Sequence, residues 1–488
     1  MNGTEGGHAL WLPAEHLVTH GVVVGMTGSG KTGLVAVMIE EAARAQVPTI
    51  VIDVKGDLPN LLLALPSFDG TVLEPWLEIE REGQSPEQIA TRAAELADKR
   101  RAALAEWQIG EPELAAYAAG TSVRVLTPGG TAGEPLHMLS SLERRSPRWD
   151  SDPEAARDAL TAAVSLVLRL LGRESDPAKS REHVLLSVLA ERRLHAGQTA
   201  ELGALMQDVL EPPISEIGAL PVNAFLKKSE RKNLAAALNS LLAAPSFASW
   251  RQGTTLDVGE WLAPREGKTP IVIVSVAHLD DEERALVLGV LLEEVLSWVR
   301  TLPGSSRLRA LLVFDEVYGF LPPHPANPPT KRPLVALMKQ ARAFGVGVVV
   351  ATQNPMDLDY RALSNAGLWF IGRLQTDADR ARVLDGLAAA RGTEGYGEEL
   401  GTTLQRLAPR WFVVRNAHAT SPPILMQPRY AMSVMRGPMT RLEIRAARGV
   451  KDAVGAAVAG SGCVAGGKAP NVDPWVSTGA RRVATQAN

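Results

Sequence analysis

The stretch GMTGSGKT, residues 25–32, constrains the fold of this chain more than any other part of its sequence. It matches the pattern of Gly, four residues, Gly-Lys and then Ser or Thr, and it stands between an apolar run (22–24) and an amphipathic segment (34–44). Glycines let backbone N–H groups close around phosphate oxygens, and the N-terminus of the following helix favours anions. The stretch therefore predicts a phosphate-binding loop between a strand and a helix. The residues predicted to hold ATP are Gly25, Thr27, Gly28, Ser29, Gly30, Lys31 and Thr32, with Lys31 on the β and γ phosphates and the Thr32 hydroxyl on Mg²⁺.

Further apolar runs predict a parallel sheet. The run TIVID follows the first helix and ends at Asp53, which completes a strand–helix–strand unit. Later runs begin at 270, 311, 346, 368 and 411. We therefore expect an α/β fold with a mainly parallel sheet flanked by helices.

Two acidic residues follow a buried strand. The apolar residues 311–314 deliver Asp315 and Glu316 to the end of that strand, where ligands of open α/β sheets gather. Asp315 suits a Mg²⁺ ligand, and Glu316 suits a general base that orients the attacking water. The next strand ends at Gln353, whose amide could contact the γ-phosphate or that water.

The helical and strand patterns divide the chain into four parts. We expect 1–60 and 266–430 to form the two parts of the nucleotide-binding core. Residues 61–265 are predicted to be a mostly helical insertion with a short core strand near 121–127, because apolar residues between 152 and 246 recur at spacings of three and four. Residues 431–488 are expected to be a largely disordered tail, with folded character fading after about Leu442.

Composition limits the partners and the location. The chain has 488 residues and a net charge of −3, so it has no global basic field and any DNA contact would have to be local. The cluster KKSERKN supplies candidates for such a contact, although clusters of this kind more often form a solvated helix face. These candidates are Lys227, Lys228, Arg231 and Lys232. No signal peptide or membrane span is predicted, and the single cysteine, Cys463, fits a reducing compartment, so we expect a cytoplasmic protein.

Two arginines adjoin predicted strands. Arg342 precedes the strand that ends at Gln353, and Arg373 lies on the strand that begins at 368. Either could be a plain surface arginine. Both are candidates for a catalytic arginine that stabilises the transferred phosphate, Arg342 as a finger supplied to the neighbouring subunit.

Five motifs in a fixed order resemble the HerA-like members of the HerA/FtsK superfamily of P-loop ATPases. They are GMTGSGKT, IDVKGD, LLVFDEVYGF, MKQARAFGVGVVVATQNP and SNAGLWFIGRLQ. The resemblance implies a RecA-like core and a homohexameric ring that threads double-stranded DNA through a central pore, with ATP bound between subunits. By motif position it also implies that Arg342 is the trans-acting arginine, and Asp53 matches the acidic residue that ends the second strand of the family.

The resemblance implies an ATP-hydrolysing DNA translocase or helicase. Relatives work in DNA end processing, DNA transfer or antiviral defence, so a nuclease or other effector is an expected partner. Two alternatives stay open: a conjugation or secretion motor of the same superfamily, and a nucleotide-dependent assembly switch that is not a motor. Glu316 favours turnover over mere binding. Val317 and Tyr318 stand where the family often has Ala-His, so any role of that His is lost.

Overall fold

A computed structural model describes most of the chain. The described residues are 8–10, 12–80, 85–143, 145, 148–353, 358–359, 366–374, 376–388, 397–417, 423–449 and 479–482. Cys463 and most of the predicted tail lie outside them.

The strands are as follows. They are β1 His8–Ala9, β2 Gly21–Val24, β3 Thr49–Asp53, β4 Thr121–Pro128, β5 Glu134–His137, β6 Glu216–Ile217, β7 Leu220–Pro221, β8 Thr254–Thr255, β9 Thr269–Ser275, β10 Ser305–Asp315, β11 Phe344–Thr352, β12 Leu368–Ile371, β13 Phe412–Asn416, β14 Ile424–Gln427 and β15 Gly479–Arg482.

The helices connect these strands. They are α1 Ala14–Leu17, α2 Lys31–Arg44, α3 Pro86–Ala105, α4 Glu111–Gly120, α5 Ser140–Glu143, α6 Arg148–Ser151, α7 Pro153–Leu170, α8 Arg181–His195, α9 Leu202–Leu210, α10 Val222–Phe225, α11 Lys228–Ala243, α12 Ala248–Arg251, α13 Val258–Leu262, α14 Asp281–Thr301, α15 Lys331–Gln340, α16 Asp377–Ala388, α17 Gly397–Arg406 and α18 441–449. Short 3₁₀ turns cover Leu58–Leu62, Gly70–Val72, Glu74–Glu80, Pro245–Phe247 and Ala341–Ala343.

One large sheet organises the molecule. Its strand order is β1-β15-β14-β13-β12-β2-β11-β10-β3-β9-β4-β5-β8. From β12 to β8 every neighbouring pair is parallel, and the pairs from β1 to β12 are antiparallel. The predicted α/β fold with a mainly parallel sheet flanked by helices is therefore confirmed.

The sheet is buried on both faces because its strands are apolar on both faces. In β10, Leu312 and Phe314 pack into one hydrophobic core, which also contains residues of α7, α8 and α14. Leu311 and Val313 point the other way, into a second core with residues of α2, α3 and α4. This alternation has the period of two that a strand imposes. In β3, β9 and β11 the polar side chains lie only at the ends of the strand.

The carboxyl ends of five neighbouring strands meet at one edge of the sheet. Asp315 at the end of β10 is in register with Asp53 at the end of β3. On the other side, Val24 at the end of β2 is in register with Thr352 of β11 and Ile371 of β12. The phosphate-binding loop starts directly after Val24. The edge formed by β3, β10, β11, β2 and β12 therefore carries the candidate site.

Two parts of the chain differ from the sequence-based expectation. The strand expected near 121–127 is β4, which pairs with β9, but the 61–265 segment also adds β5 and β8 to the main sheet, because β5 pairs with β4 and β8 pairs with β5. The chain also stays folded beyond Leu442: α18 covers 441–449, and its Ile444 and Ala447 are buried against the second core. No helix in the described ranges is long and apolar enough to cross a membrane.

Candidate nucleotide-binding site

The loop 25–30 has the backbone shape that closes around an anion. Gly28 and Gly30 have φ of 77° and 93°, in the left-handed region that favours glycine. A Cβ on Gly30 would lie 2.9 Å from Cγ of Arg410, so a larger residue would meet a neighbour there. The loop then enters α2, whose N-cap is Gly30. Free N–H groups of the first turn therefore face the loop, as phosphate binding requires.

Neighbouring strands hold this loop in place. The N–H of Gly25 donates to the carbonyl of Thr352 at 3.3 Å, and the N–H of Met26 donates to the carbonyl of Arg373 at 2.9 Å. The hydroxyl of Thr27 donates to Oε1 of Gln353 at 2.5 Å. The loop is thus tied to the ends of β11 and β12, which are its neighbours in the sheet.

Lys31 is buried at the base of the loop. Its Nζ donates to the carbonyls of Gly25 and Met26, the second at 3.0 Å. Burial lowers the pKa of Lys31 to about 8, although the carboxylates of Glu316 and Asp315 act in the opposite direction. The Lys31 ammonium stays mainly charged at neutral pH, and it is close enough to the carboxylates of Glu316 and Asp315 to interact with their charges.

Asp315 is a buried carboxylate. Burial, together with the nearby Asp53 carboxylate, raises the pKa of Asp315 to about 7, although Lys55 acts in the opposite direction. Among the described residues its Oδ2 has no hydrogen-bond partner. A buried acceptor without a partner is unfavourable unless a cation or another donor meets it. The geometry therefore fits the predicted role of Asp315 as a metal ligand.

Glu316 is turned out of the strand and fixed by three donors. Its φ is 67°, an unfavourable value for a residue with a Cβ, and such strain is found at functional positions. Oε1 accepts from the Thr352 hydroxyl and from the N–H of Gln353, both at 3.2 Å. Oε2 lies 2.6 Å from Nζ of Lys55. The carboxylate is thus held at the edge of the sheet beside the phosphate-binding loop.

The Asp53 carboxylate, predicted to contact the nucleotide, is instead hydrogen-bonded within the protein. It is fully buried, and both of its oxygens are used: Oδ1 accepts from the N–H of Gly56 at 2.9 Å and Oδ2 from the Ser275 hydroxyl at 2.8 Å. Burial raises its pKa to about 6, against the effect of these hydrogen bonds. Asp53 shapes the loop after β3 and acts electrostatically on Asp315, and this geometry does not support a direct contact with the nucleotide.

The two candidate arginines lie at opposite ends of the sheet. Arg373 lies two residues after the end of β12, at the nucleotide edge and not on the strand itself, and its side chain is exposed. Arg342 is exposed in the 3₁₀ turn before β11, at the amino end of that strand. Since β11 has nine residues, Arg342 lies on the order of 30 Å from the nucleotide edge of its own subunit. The Arg342 guanidinium therefore cannot reach the nucleotide edge of the same chain.

A family model matches the first part of this core. Residues 11–111 match the family described as "Helicase HerA, central domain". This segment is HerA-like. The match confirms the resemblance that the motifs indicate, and it covers the phosphate-binding loop, α2, β3 and Lys55, while the acidic pair and both arginines lie outside it.

Solved structures align with most of the chain at low identity. VirB4 of Thermoanaerobacter pseudethanolicus is 13% identical, with a TM-score of 0.47 over 86% of this chain and 96% of VirB4. The plasmid coupling protein TrwB in complex with the ATP analogue ADPNP is 13% identical, with a TM-score of 0.46 over 90% of this chain and 93% of TrwB. TrwB in complex with ADP and Mg²⁺ is 14% identical, with a TM-score of 0.46 over 90% and 92%. A search of curated proteins found no match. Because these TM-scores are below 0.5, the fold assignment rests on the order of strands in the sheet.

Lys55 is the site residue that sequence reasoning missed. It lies in the HerA-like segment, two residues after the end of β3, and its ammonium pairs with Glu316 across 261 residues of sequence. The contact could be predicted only from the pairing of β3 with β10. This pairing places a residue just after Asp53 beside a residue just after Asp315. The order of strands in the sheet cannot be read from either motif alone.

Proposed function

We propose that this protein is a Mg²⁺-dependent ATPase that assembles as a homohexameric ring and moves along double-stranded DNA. One observation carries the proposal: at one edge of the sheet, a phosphate-binding loop and the fixed carboxylate of Glu316 meet the Asp315 oxygen that no described residue bonds. This is the set of groups that phosphoryl transfer to water needs. The HerA-like character of 11–111 supports the choice of motor class.

The loop residues bind and orient the triphosphate. The backbone N–H groups of Gly30, Lys31 and Thr32 at the start of α2 face the phosphates, and the Lys31 ammonium supplies the positive charge for the β and γ groups. Gln353, anchored to Thr27 and to Glu316, holds the position beside the γ-phosphate. Positioning of this kind removes much of the entropic part of the barrier.

The residues present fit Mg²⁺. This cation prefers oxygen ligands, and Asp315 offers a buried Oδ2 while the Thr32 hydroxyl stands in the first turn of α2. When bound, Mg²⁺ neutralises charge that develops on the phosphates. Because Asp315 has a pKa of about 7, a proton competes with the cation there below neutral pH.

Glu316 acts as the general base that orients the attacking water. Three donors fix its carboxylate, so its orientation is set before the substrate arrives. Arg373 at the same edge adds positive charge from the same subunit. Arg342 acts from the neighbouring subunit, because it lies at the far end of its own sheet. An arginine that acts in this way requires head-to-tail contact between subunits, which a closed ring provides.

Local charge on the helical part supports the DNA contact. Lys227, Lys228 and Lys232 are exposed at the start of α11. Arg231 is not available, since it is buried and donates to the carbonyls of Val209 and Leu210. The three lysines are therefore the pore-lining candidates, and Arg231 is removed from that set. A nuclease or effector partner stays a prediction.

The test is ATP hydrolysis with and without double-stranded DNA, at low and moderate salt, together with the mass of the particle in the presence of ATP. We expect stimulation by DNA that weakens with salt, because phosphate contacts release counterions, and a hexamer-sized particle. Replacing Lys227, Lys228 and Lys232 by Gln together should reduce stimulation and leave basal hydrolysis unchanged. Hydrolysis that is indifferent to DNA at every salt concentration would refute the translocase and leave the assembly switch or a protein-moving motor.

A further inference from the structure

An exposed aromatic ring lies beside the phosphate-binding loop. Tyr430 is 46% exposed, whereas most large apolar and aromatic side chains of the described core are buried. It follows β14 by three residues, in a segment outside the five sequence motifs. Exposed aromatic surface next to a ligand-binding loop often marks an interaction site.

Arg410 connects this ring to the loop. Its N–H donates to the carbonyl of Ser29 at 2.9 Å, and its Cα lies 3.1 Å from the place where a Cβ of Gly30 would be. The guanidinium carbon lies 3.4 Å from the centre of the Tyr430 ring, and Nη2 donates to the carbonyl of Pro428 at 2.7 Å. One arginine side chain therefore spans the distance from the loop to the ring.

The backbone of Tyr430 is fixed to the helix that follows the loop. Arg429 is buried and pairs with Glu40 and Glu41 of α2, each at 2.7 Å. The same guanidinium donates to the carbonyl of Tyr430 at 2.8 Å. The ring is thus held relative to the phosphate-binding loop from two sides, by Arg410 through the loop and by Arg429 through α2.

We infer that Tyr430 is the stacking platform for the base of the bound nucleotide. The guanidinium of Arg410 covers one face of the ring, so the exposed area belongs to the other face and the edge. A flat, fixed and solvent-facing π surface one side chain from the phosphate cradle suits a nucleobase, which stacks on aromatic rings. The phosphates lie on the loop and the base lies on Tyr430. Arg410, with a φ of 64°, is the positioning residue that sets the spacing between the two.

This inference rests on the proposed ATPase, and its test separates the two. The test measures binding of the non-hydrolysable analogue AMP-PNP and of inorganic tripolyphosphate, each with Mg²⁺, to the full chain by calorimetry. Tyr430→Ala should weaken AMP-PNP about tenfold or more, the effect typical of one lost stacking contact, and should change tripolyphosphate affinity less than about twofold. Tyr430→Phe should bind both as the unmodified protein does.

Controls make each outcome decisive. Leu220→Ala removes another exposed apolar side chain, on the β6–β7 hairpin, and should change neither affinity. Equal affinities of Tyr430→Ala and the unmodified protein for AMP-PNP would overturn the stacking role. So would an equal loss for both ligands, because a general disturbance of the loop produces that pattern. If the unmodified protein binds neither ligand, the proposed ATPase itself is wrong.

Discussion

The substitution Asp315→Asn should stabilise the protein and inactivate it. The pKa of Asp315 is raised from an ordinary value of 3.8 to about 7 by burial and by Asp53. For an acid whose pKa is higher in the folded state, ionisation destabilises the fold. That destabilisation is complete above the folded pKa, and it disappears as the pH falls from about 7 towards 3.8. An amide at this position carries no charge to desolvate.

The magnitude follows from the two pKa values. At about 1.4 kcal/mol for each tenfold change, the difference between 3.8 and about 7 corresponds to about 4 kcal/mol near pH 8. Near pH 5 the folded state is protonated, and about 2 kcal/mol is left. The gain in the free energy of unfolding from Asp315→Asn should therefore be about twice as large near pH 8 as near pH 5.

The assay is denaturation by urea near both pH values, in EDTA so that no divalent cation stabilises the carboxylate. Glu316→Gln is the matched control: its charge adds only a minor part to the raised pKa of Asp315 and is paired with Lys55, so its removal should give a much smaller gain. The reasoning is refuted if Asp315→Asn is no more stable than the unmodified protein near pH 8. A gain of equal size at both pH values would also refute it, since burial of the charge would then not be its cause.

Three further predictions concern other contacts of the core. Arg342→Ala should abolish hydrolysis and leave ATP binding intact. Mixing it in equal amounts with Lys31→Ala subunits should restore part of the activity, because about a quarter of the interfaces then combine an intact Lys31 with an intact Arg342 of the neighbour. No recovery of hydrolysis in the mixed rings would contradict a trans-acting arginine. Lys55→Met should lower kcat about tenfold or more with little change in KM, since Glu316 loses the donor at 2.6 Å. Lys55→Arg should keep part of the rate. An unchanged kcat in Lys55→Met would contradict the role of Lys55 in orienting Glu316. Arg429→Met should lower the free energy of unfolding by about 3–5 kcal/mol, because the Glu40 carboxylate stays buried without its cation, whereas Glu41 keeps Arg44. A loss below about 1 kcal/mol in urea denaturation contradicts that.

Local sequence patterns predict the parts of the site that are contiguous in the chain. The phosphate-binding loop needs glycines at fixed positions, and Asp315 and Glu316 end an apolar run that only a buried strand explains. Both patterns are set by backbone conformation and burial within about ten residues, so the amino-acid sequence alone predicts them.

Local sequence patterns do not predict contacts between strands that are distant in the sequence. The pairing of Lys55 with Glu316 depends on β3 lying beside β10, and the engagement of Asp53 within the protein depends on Ser275 of β9. Arg231 shows the same limit on a helix: charge placed it with Lys228 and Lys232, but the helical turn puts its side chain inside. Tyr430 belongs to no motif, and its position comes from buried ion pairs to α2.

The most direct test of Glu316 as the general base is ATP turnover by Glu316→Gln, measured beside its affinity for ATP. The amide keeps the size of the side chain and can still accept from Gln353, so binding should stay within a few-fold of the unmodified protein. Hydrolysis should fall about a hundredfold or more, the usual contribution of a positioned general base. Turnover at the unmodified rate with intact binding would contradict the role assigned to Glu316.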